Sequence, residues 1–137
     1  MGLFRFGVSL EKGLLEKFDR LIRERNYPSR SKAIRDLIRQ ELVKKQWQSG
    51  DEVAGAITFV YDHHQRELVA KIIDLQHQFP EIIISTQHIH LNHKNCLEIV
   101  AVRGKPGEIY KLNNHLKALK GVKHSALNLS CTGQDID

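Results

Sequence analysis

Residues 4–43, FRFGVSLEKGLLEKFDRLIRERNYPSRSKAIRDLIRQELV, change their apolar period twice, and that change decides how the chain is read. In FRFGVSL (4–10), Phe4, Phe6, Val8 and Leu10 alternate with Arg5, Gly7 and Ser9, which predicts a strand. From residue 11 to 27, Leu14, Leu15, Phe18, Leu21 and Ile22 recur at helical spacing. Tyr27-Pro28-Ser29 interrupts, because the residue before a proline is pushed out of the helical region. Ser29 or Ser31 then caps a second helix, whose apolar stripe is Ala33, Ile34, Leu37, Ile38 and Leu42. The polar run KKQWQSGDE (44–52), with Gly50, reads as a linker.

One strand and two short helices bury too little to fold alone, and a lone strand leaves its backbone groups unpaired. A dimer in which two such strands pair antiparallel above four helices removes both problems. That arrangement resembles the ribbon–helix–helix repressors, whose two-stranded ribbon lies in the major groove of DNA. It turns Arg5, Gly7 and Ser9 toward the bases, where Arg5 can form paired hydrogen bonds with guanine and Ser9 can bond either base type. Ser29, Arg30 and Ser31 offer amide donors, a helix dipole and a cation to a DNA phosphate. Charge agrees with this placement. Residues 1–50 hold 12 Lys/Arg against 6 Asp/Glu, whereas the remaining 87 residues hold 9 against 10.

The rest of the chain alternates differently. Residues 52–62 are β-like, 65–79 helical, 81–92 and 96–104 β-like around a short polar turn, 105–121 helical from Pro106 to Gly121, and 122–131 β-like. The order βαββαβ predicts a ferredoxin-like layer of helices on an antiparallel sheet. The chain is therefore expected to be α+β, with a DNA-binding domain at 1–48 and a second domain at 49–137. The longest apolar runs, such as AITFVY (56–61), are too short to span a bilayer, and no cleavable leader pattern opens the chain. A cytoplasmic location is expected. In a reducing compartment the two cysteines, Cys96 and Cys131, are not a disulfide framework.

QHIHLNHKNC (87–96) concentrates three histidines and a cysteine in ten residues. Strand alternation puts His88 and His90 on one face. A three-residue turn, His93-Lys94-Asn95, pairs position 92 with 96 and brings Cys96 and then Glu98 onto that face. His77, near the end of the preceding helix, is the candidate fourth donor, from the same chain or from a neighbour. Three imidazoles and a thiolate suit Zn, Ni, Co or Cu. A zinc ion with an open position and Glu98 nearby would instead permit hydrolysis or deamination, and an antitoxin-like repressor controlled by an organic ligand is a further alternative. His63, His64, His93, His115 and His124 are read as surface or edge residues, with His93 and His63 or His64 at most as accessory metal donors.

The helix sequence SRSKAIRDLIR, the βαββαβ body and the spacing H-x10-H-x-H-x5-C (His77, His88, His90, Cys96) together resemble the NikR family of nickel-responsive transcriptional regulators. The resemblance covers essentially the whole chain. It implies a non-enzymatic homotetramer, two DNA-binding dimers around a core of ACT-like domains, with one Ni(II) per subunit. It also implies that His88, His90 and Cys96 of one subunit are joined by His77 of another. Nickel loading then favours a palindromic DNA operator, usually repressing nickel-uptake genes. Tyr61 and Glu98 take supporting positions behind the ligands, and Arg66 matches a position that touches the DNA backbone. Two departures stand out. Gly7 replaces a polar side chain able to read a base. Lys32 replaces an acid of the family's auxiliary potassium site, with Asp36 retained, so an ammonium paired to Asp36 is expected where the cation would sit.

Overall fold

A computed structural model describes residues 2–137 of the chain. Eight elements follow in order: α1 (Lys12–Glu24), α2 (Arg30–Ser49), β1 (Val53–Asp62), α3 (Arg66–His77), β2 (Ile83–His90), β3 (Asn95–Gly104), α4 (Pro106–Ala118) and β4 (Val122–Leu129). They form two compact units, the first ending at Gln40 and the second comprising Glu41–Asp137. The division falls inside α2.

In the first unit, α1 stops where Asn26 takes a left-handed conformation, φ 57°. The amide of Tyr27 then reaches back to the Ile22 carbonyl at 3.0 Å, closing the helix end. Ser29 caps α2, its hydroxyl accepting the Lys32 amide at 3.2 Å. Residues 4–10 form no strand among the described residues, and Phe4 is 93% exposed. A single strand has no second edge to pair with, whatever its alternation. Leu14, Leu21, Leu37 and Ile38 likewise keep much of their surface exposed.

The expected linker at 44–52 is a misreading. α2 continues through Ser49, and Gly50, with φ 84°, ends it. Trp47 is the cause. It is 5% exposed, packs edge-on against Tyr110 at 5.4 Å and donates its indole N–H to the Ser130 carbonyl at 2.7 Å. One anchored aromatic, worth about 1.5–3 kcal/mol of apolar burial, holds the last turn helical despite its polar neighbours.

The second unit's sheet is antiparallel, in the order β2-β3-β1-β4. Its helix-facing side is built from Val53, Ile57, Phe59 and Tyr61 of β1 and from Cys96, Glu98, Val100 and Val102 of β3. These pack under Leu68 and Ile72 of α3 and Ile109, Leu112 and Leu116 of α4. Gly55 permits close strand contact, since a Cβ there would lie 2.6 Å from the Asn128 carbonyl oxygen. α4 begins with Pro106 and ends before Gly121, as the sequence indicates. The ferredoxin-like α+β architecture is the one expected, and β2 lies at a sheet edge.

Candidate metal centre

Three strands bring the donor residues together at one end of the sheet. β3 pairs with β2 so that His90 faces Cys96 and His88 faces Glu98, and with β1 so that Tyr61 faces Cys96. The turn differs from expectation. His90, not Asn92, opposes Cys96, so the connection is Leu91–Lys94 rather than three residues. Asn92 explains the longer turn: its side-chain oxygen accepts the amides of Lys94 and Asn95 at 2.9 and 2.8 Å. The register moves by two residues, an even number, so Cys96 stays on the His90 face.

His88 Nε2 lies 3.1 Å from the Cys96 Sγ, and His90 Nδ1 lies 3.7 Å from it. Behind His88 runs a chain of polar contacts. Tyr61 donates its hydroxyl to Glu98 Oε2 at 3.3 Å, and the Tyr61 oxygen itself is 3.1 Å from His88 Nδ1. A hydroxyl has one proton. With that proton on Glu98, the Tyr61 oxygen accepts from His88, which places the imidazole proton on Nδ1 and leaves Nε2 bare toward the sulfur. Glu98, 8% exposed, takes its second hydrogen bond from the Gln76 amide at 3.1 Å. Its link to His88 therefore passes through Tyr61 rather than reaching the ring directly. Burial first, then the charge of Glu98, pushes the Tyr61 hydroxyl well above its ordinary value of 10.0, so it remains a donor. Burial also pushes the Cys96 thiol up, helped by Glu98 and Asp62. The thiol thus keeps its proton, and a metal must displace it to bind.

His77 ends α3 and is exposed, outside this cluster. Sequence reading undervalued His63. Among the described residues, the group whose donor atoms all lie within 4.8 Å of one another is His63, His90 and Cys96. The reason lies in strand pairing, since Asp62 sits opposite Asn95 and His63 follows directly. His64 leans on Asp62, Nδ1 to Oδ1 3.4 Å, and the His64 amide donates to that same carboxylate at 2.9 Å, holding Asp62 below the usual carboxylate range.

The residues expected to meet DNA are more scattered. Arg5, Gly7 and Ser9 lie in the exposed segment before α1, and Arg66 opens α3 and is exposed. Ser29 caps α2, with Arg30 and Ser31 in its first turn. The Arg30 guanidinium is engaged, its Nε and Nη2 each donating to a carboxylate oxygen of Asp19 at 2.9 Å. Lys32 pairs with Asp36 at 2.5 Å, the ammonium contact that the sequence indicates.

The sequence profile of the NikR C-terminal nickel-binding domain matches residues 54–130, and that of the copG-family ribbon–helix–helix proteins matches residues 5–45. The chain belongs to the NikR family. A relative from Syntrophus aciditrophicus, provisionally named a nickel-responsive regulator, is 64% identical over 96% of both chains. Relatives of the same name from Chlorobium limicola and Pyrococcus furiosus are 57% and 50% identical, covering 96% and 99% of this chain and 98% and 99% of their own. An uncharacterized Thermotoga maritima protein, at 15% identity, shares the fold with a TM-score of 0.53 over 58% of this chain and 98% of its own.

The family is one of regulators, which sets aside the hydrolase or deaminase reading. Its C-terminal domain is a nickel-binding domain, which sets aside control by an organic ligand. No helix among the described residues is long and apolar enough to cross a membrane. The side chains present suit nickel: two imidazole nitrogens approach a sulfur at the sheet edge, and one of them, His88 Nε2, is left without a proton because Nδ1 of the same ring donates to Tyr61.

Proposed function

We propose that the chain is a nickel-gated transcriptional regulator that binds palindromic operator DNA when loaded with Ni(II), acting as a repressor of nickel-uptake genes in the cytoplasm. The observation that carries this reading is the convergence of His88 and His90 on Cys96 at a sheet edge, while His77 stands apart on α3. His88, His90 and Cys96 would hold the ion, one per subunit, and His77 of a second subunit would supply the fourth donor. The ion supplies charge and a fixed meeting point for four side chains. Everything else is done by this chain's residues. Tyr61 and Glu98 hold the His88 ring in its metal-binding tautomer. Gln76, next to His77, ties the last turn of α3 to Glu98.

The assembly is a homotetramer, a dimer of dimers, on this reading. Its support is the set of apolar residues that one copy leaves exposed: Phe4, Phe6 and Val8 before α1, and Ile73, Ile84 and Leu91 in the second unit. Pairing of residues 4–10 between two copies would turn Arg5, Gly7 and Ser9 to the major groove. Ser29, Arg30, Ser31 and Arg66 would hold phosphates. Gly7 offers no side chain to a base, so sequence readout rests on Arg5 and Ser9. The division of labour is residues 1–48 for DNA and 49–137 for metal and assembly.

Subunit mixing tests the shared site. Neither His77→Ala nor Cys96→Ala chains alone should gain DNA affinity with nickel, whereas refolded mixtures should regain it, because each supplies what the other lacks. Mixtures as inert as their parents would contradict a ligand set drawn from two subunits. A Ni–thiolate absorption band in the near-ultraviolet that survives Cys96→Ala would contradict the ligand assignment itself.

A further inference from the structure

We propose that the C-terminal tail, residues 130–137, is a strap across the end of α2, and that its closure lets the metal state of the second unit reach residues 1–48. The coupling rests on the nickel reading above; the strap does not.

The chain passes between the two units once, inside α2, which leaves the first unit at Gln40 and ends at Ser49. Residues 42–49 therefore decide whether the units are joined by a helix or by a coil. Their own grip on the second unit is slight. Trp47 is buried and Val43 partly so, while Lys44, Lys45, Gln48 and Ser49 are exposed. A short helical stretch is marginal in water unless a face of it is packed.

The tail adds to that packing. The Ser130 amide donates to the Ala54 carbonyl at 2.9 Å, carrying the pairing of β4 with β1 one residue past the strand's end. This fixes the Ser130 carbonyl, which accepts the Trp47 indole N–H at 2.7 Å. The same ring lies over Gly55, where a Cβ would stand 3.4 Å from its Cζ2. Beyond Ser130 the chain turns back through Gly133, φ 91°, and Asp135, φ 59°. Gln46 Nε2 then donates to the Gln134 carbonyl at 3.0 Å. Successive helical residues point about 100° apart, so bonds to Gln46 and Trp47 hold α2 from two sides. They bridge 88 and 83 residues of sequence.

The strap is closed but not locked. Gln46 Oε1 is buried without a partner among the described residues, a cost that opening to water removes. Gly133, Gln134 and Asp135 are exposed, and a groove lined by Leu42, Lys45, Ser49 and Asp135 runs between helix and tail. Segments held by few buried contacts and by solvent-exposed hydrogen bonds open before the core does. The tail therefore lifts more readily than the sheet beneath it unfolds, and each opening loosens residues 42–49.

Gly133→Val tests the strap in the full-length protein. No atom stands within 4 Å of a Cβ at this position, so the change strains only the left-handed turn. Hydrogen exchange of the amides at 46–49 should quicken about tenfold or more in Gly133→Val and in Gln46→Ala, with the amides of β1 and β3 unchanged. Urea unfolding checks that both variants are folded. Exchange at 46–49 as slow in both as in the native chain would overturn the strap. DNA affinity with and without Ni(II) is the second readout. The gain on adding nickel should fall at least about threefold in Gly133→Val, with nickel affinity unaltered. A full gain despite faster exchange would overturn the coupling. The nickel reading fails separately: a native chain with no nickel-dependent gain would overturn it and the coupling together, while the exchange result still decides the strap.

Discussion

Replacing Tyr61 with Phe removes a single oxygen from the centre of the polar chain behind His88. The ring is 2% exposed and stacks on Phe59 at 5.6 Å, and a phenylalanine keeps both features. What is lost is the hydrogen bond to Glu98 at 3.3 Å and the contact to His88 Nδ1 at 3.1 Å. A hydrogen bond to a charged group contributes about 1.5–3 kcal/mol. The long Tyr61–Glu98 distance, and the Gln76 bond that remains on the other carboxylate oxygen, place the cost at about 1.5 kcal/mol of folding stability. The effect on metal is distinct. Without the Tyr61 oxygen, nothing in the chain of contacts holds the His88 proton on Nδ1, and loss of such a partner lowers metal affinity about 10–100-fold. Because burial raises the hydroxyl above its ordinary 10.0, the native donor persists at every pH below that value. Urea unfolding of the metal-free protein measures the first number, and nickel titration against a competing chelator measures the second. A stability loss with nickel affinity unchanged within about twofold would show that the hydroxyl only packs, and would refute its role behind His88.

Trp47→Ala should cost about 3–5 kcal/mol by urea unfolding, as expected for a buried tryptophan that also bonds Ser130; a loss below about 1 kcal/mol would mean that residues 44–49 are the linker their polarity suggests. Asp36 is held below its ordinary 3.8 chiefly by the Lys32 hydrogen bond. A depressed carboxyl stabilises the fold above the unfolded value and loses that contribution as pH falls through the lower folded value. Lys32→Met should therefore weaken the protein at neutral pH and converge with the native chain in acid, as followed by circular dichroism. With Lys32 paired to Asp36, DNA affinity should not change when sodium replaces potassium at equal ionic strength, and a strict potassium requirement would contradict this. Arg30→Ala should weaken DNA binding about equally across sequences and lower the salt slope by about one, if Arg30 leaves Asp19 for a phosphate; an unchanged slope would leave Arg30 as a purely intramolecular partner.

Where an element's cause lies in its own residues, the sequence announces it. Pro106 and Gly121 bracket α4, Ser29 caps α2, and the apolar order of 52–131 yields the strand and helix sequence observed. Causes lying elsewhere in the chain are harder to read. Trp47 reads as one aromatic in a polar linker because Tyr110 and Ser130, its partners, are more than sixty residues away. The length of the β2–β3 turn is not legible locally because Asn92 organises it with its side chain, yet the face of Cys96 is, because only odd register shifts reverse a strand's faces. His63 reaches the metal donors through the pairing of β1 with β3, which no local pattern encodes. Residues 4–10 alternate as a strand would but form none among the described residues, because a lone strand has no edge to pair with.

The central claim is that nickel at His88, His90 and Cys96 controls DNA binding by residues 1–48. Operator affinity measured on the full-length protein with and without Ni(II), at one stated salt concentration, tests it most directly. A rise of at least about tenfold with nickel, abolished by Cys96→Ala, is the expected result. Equal affinity in the two conditions would contradict it.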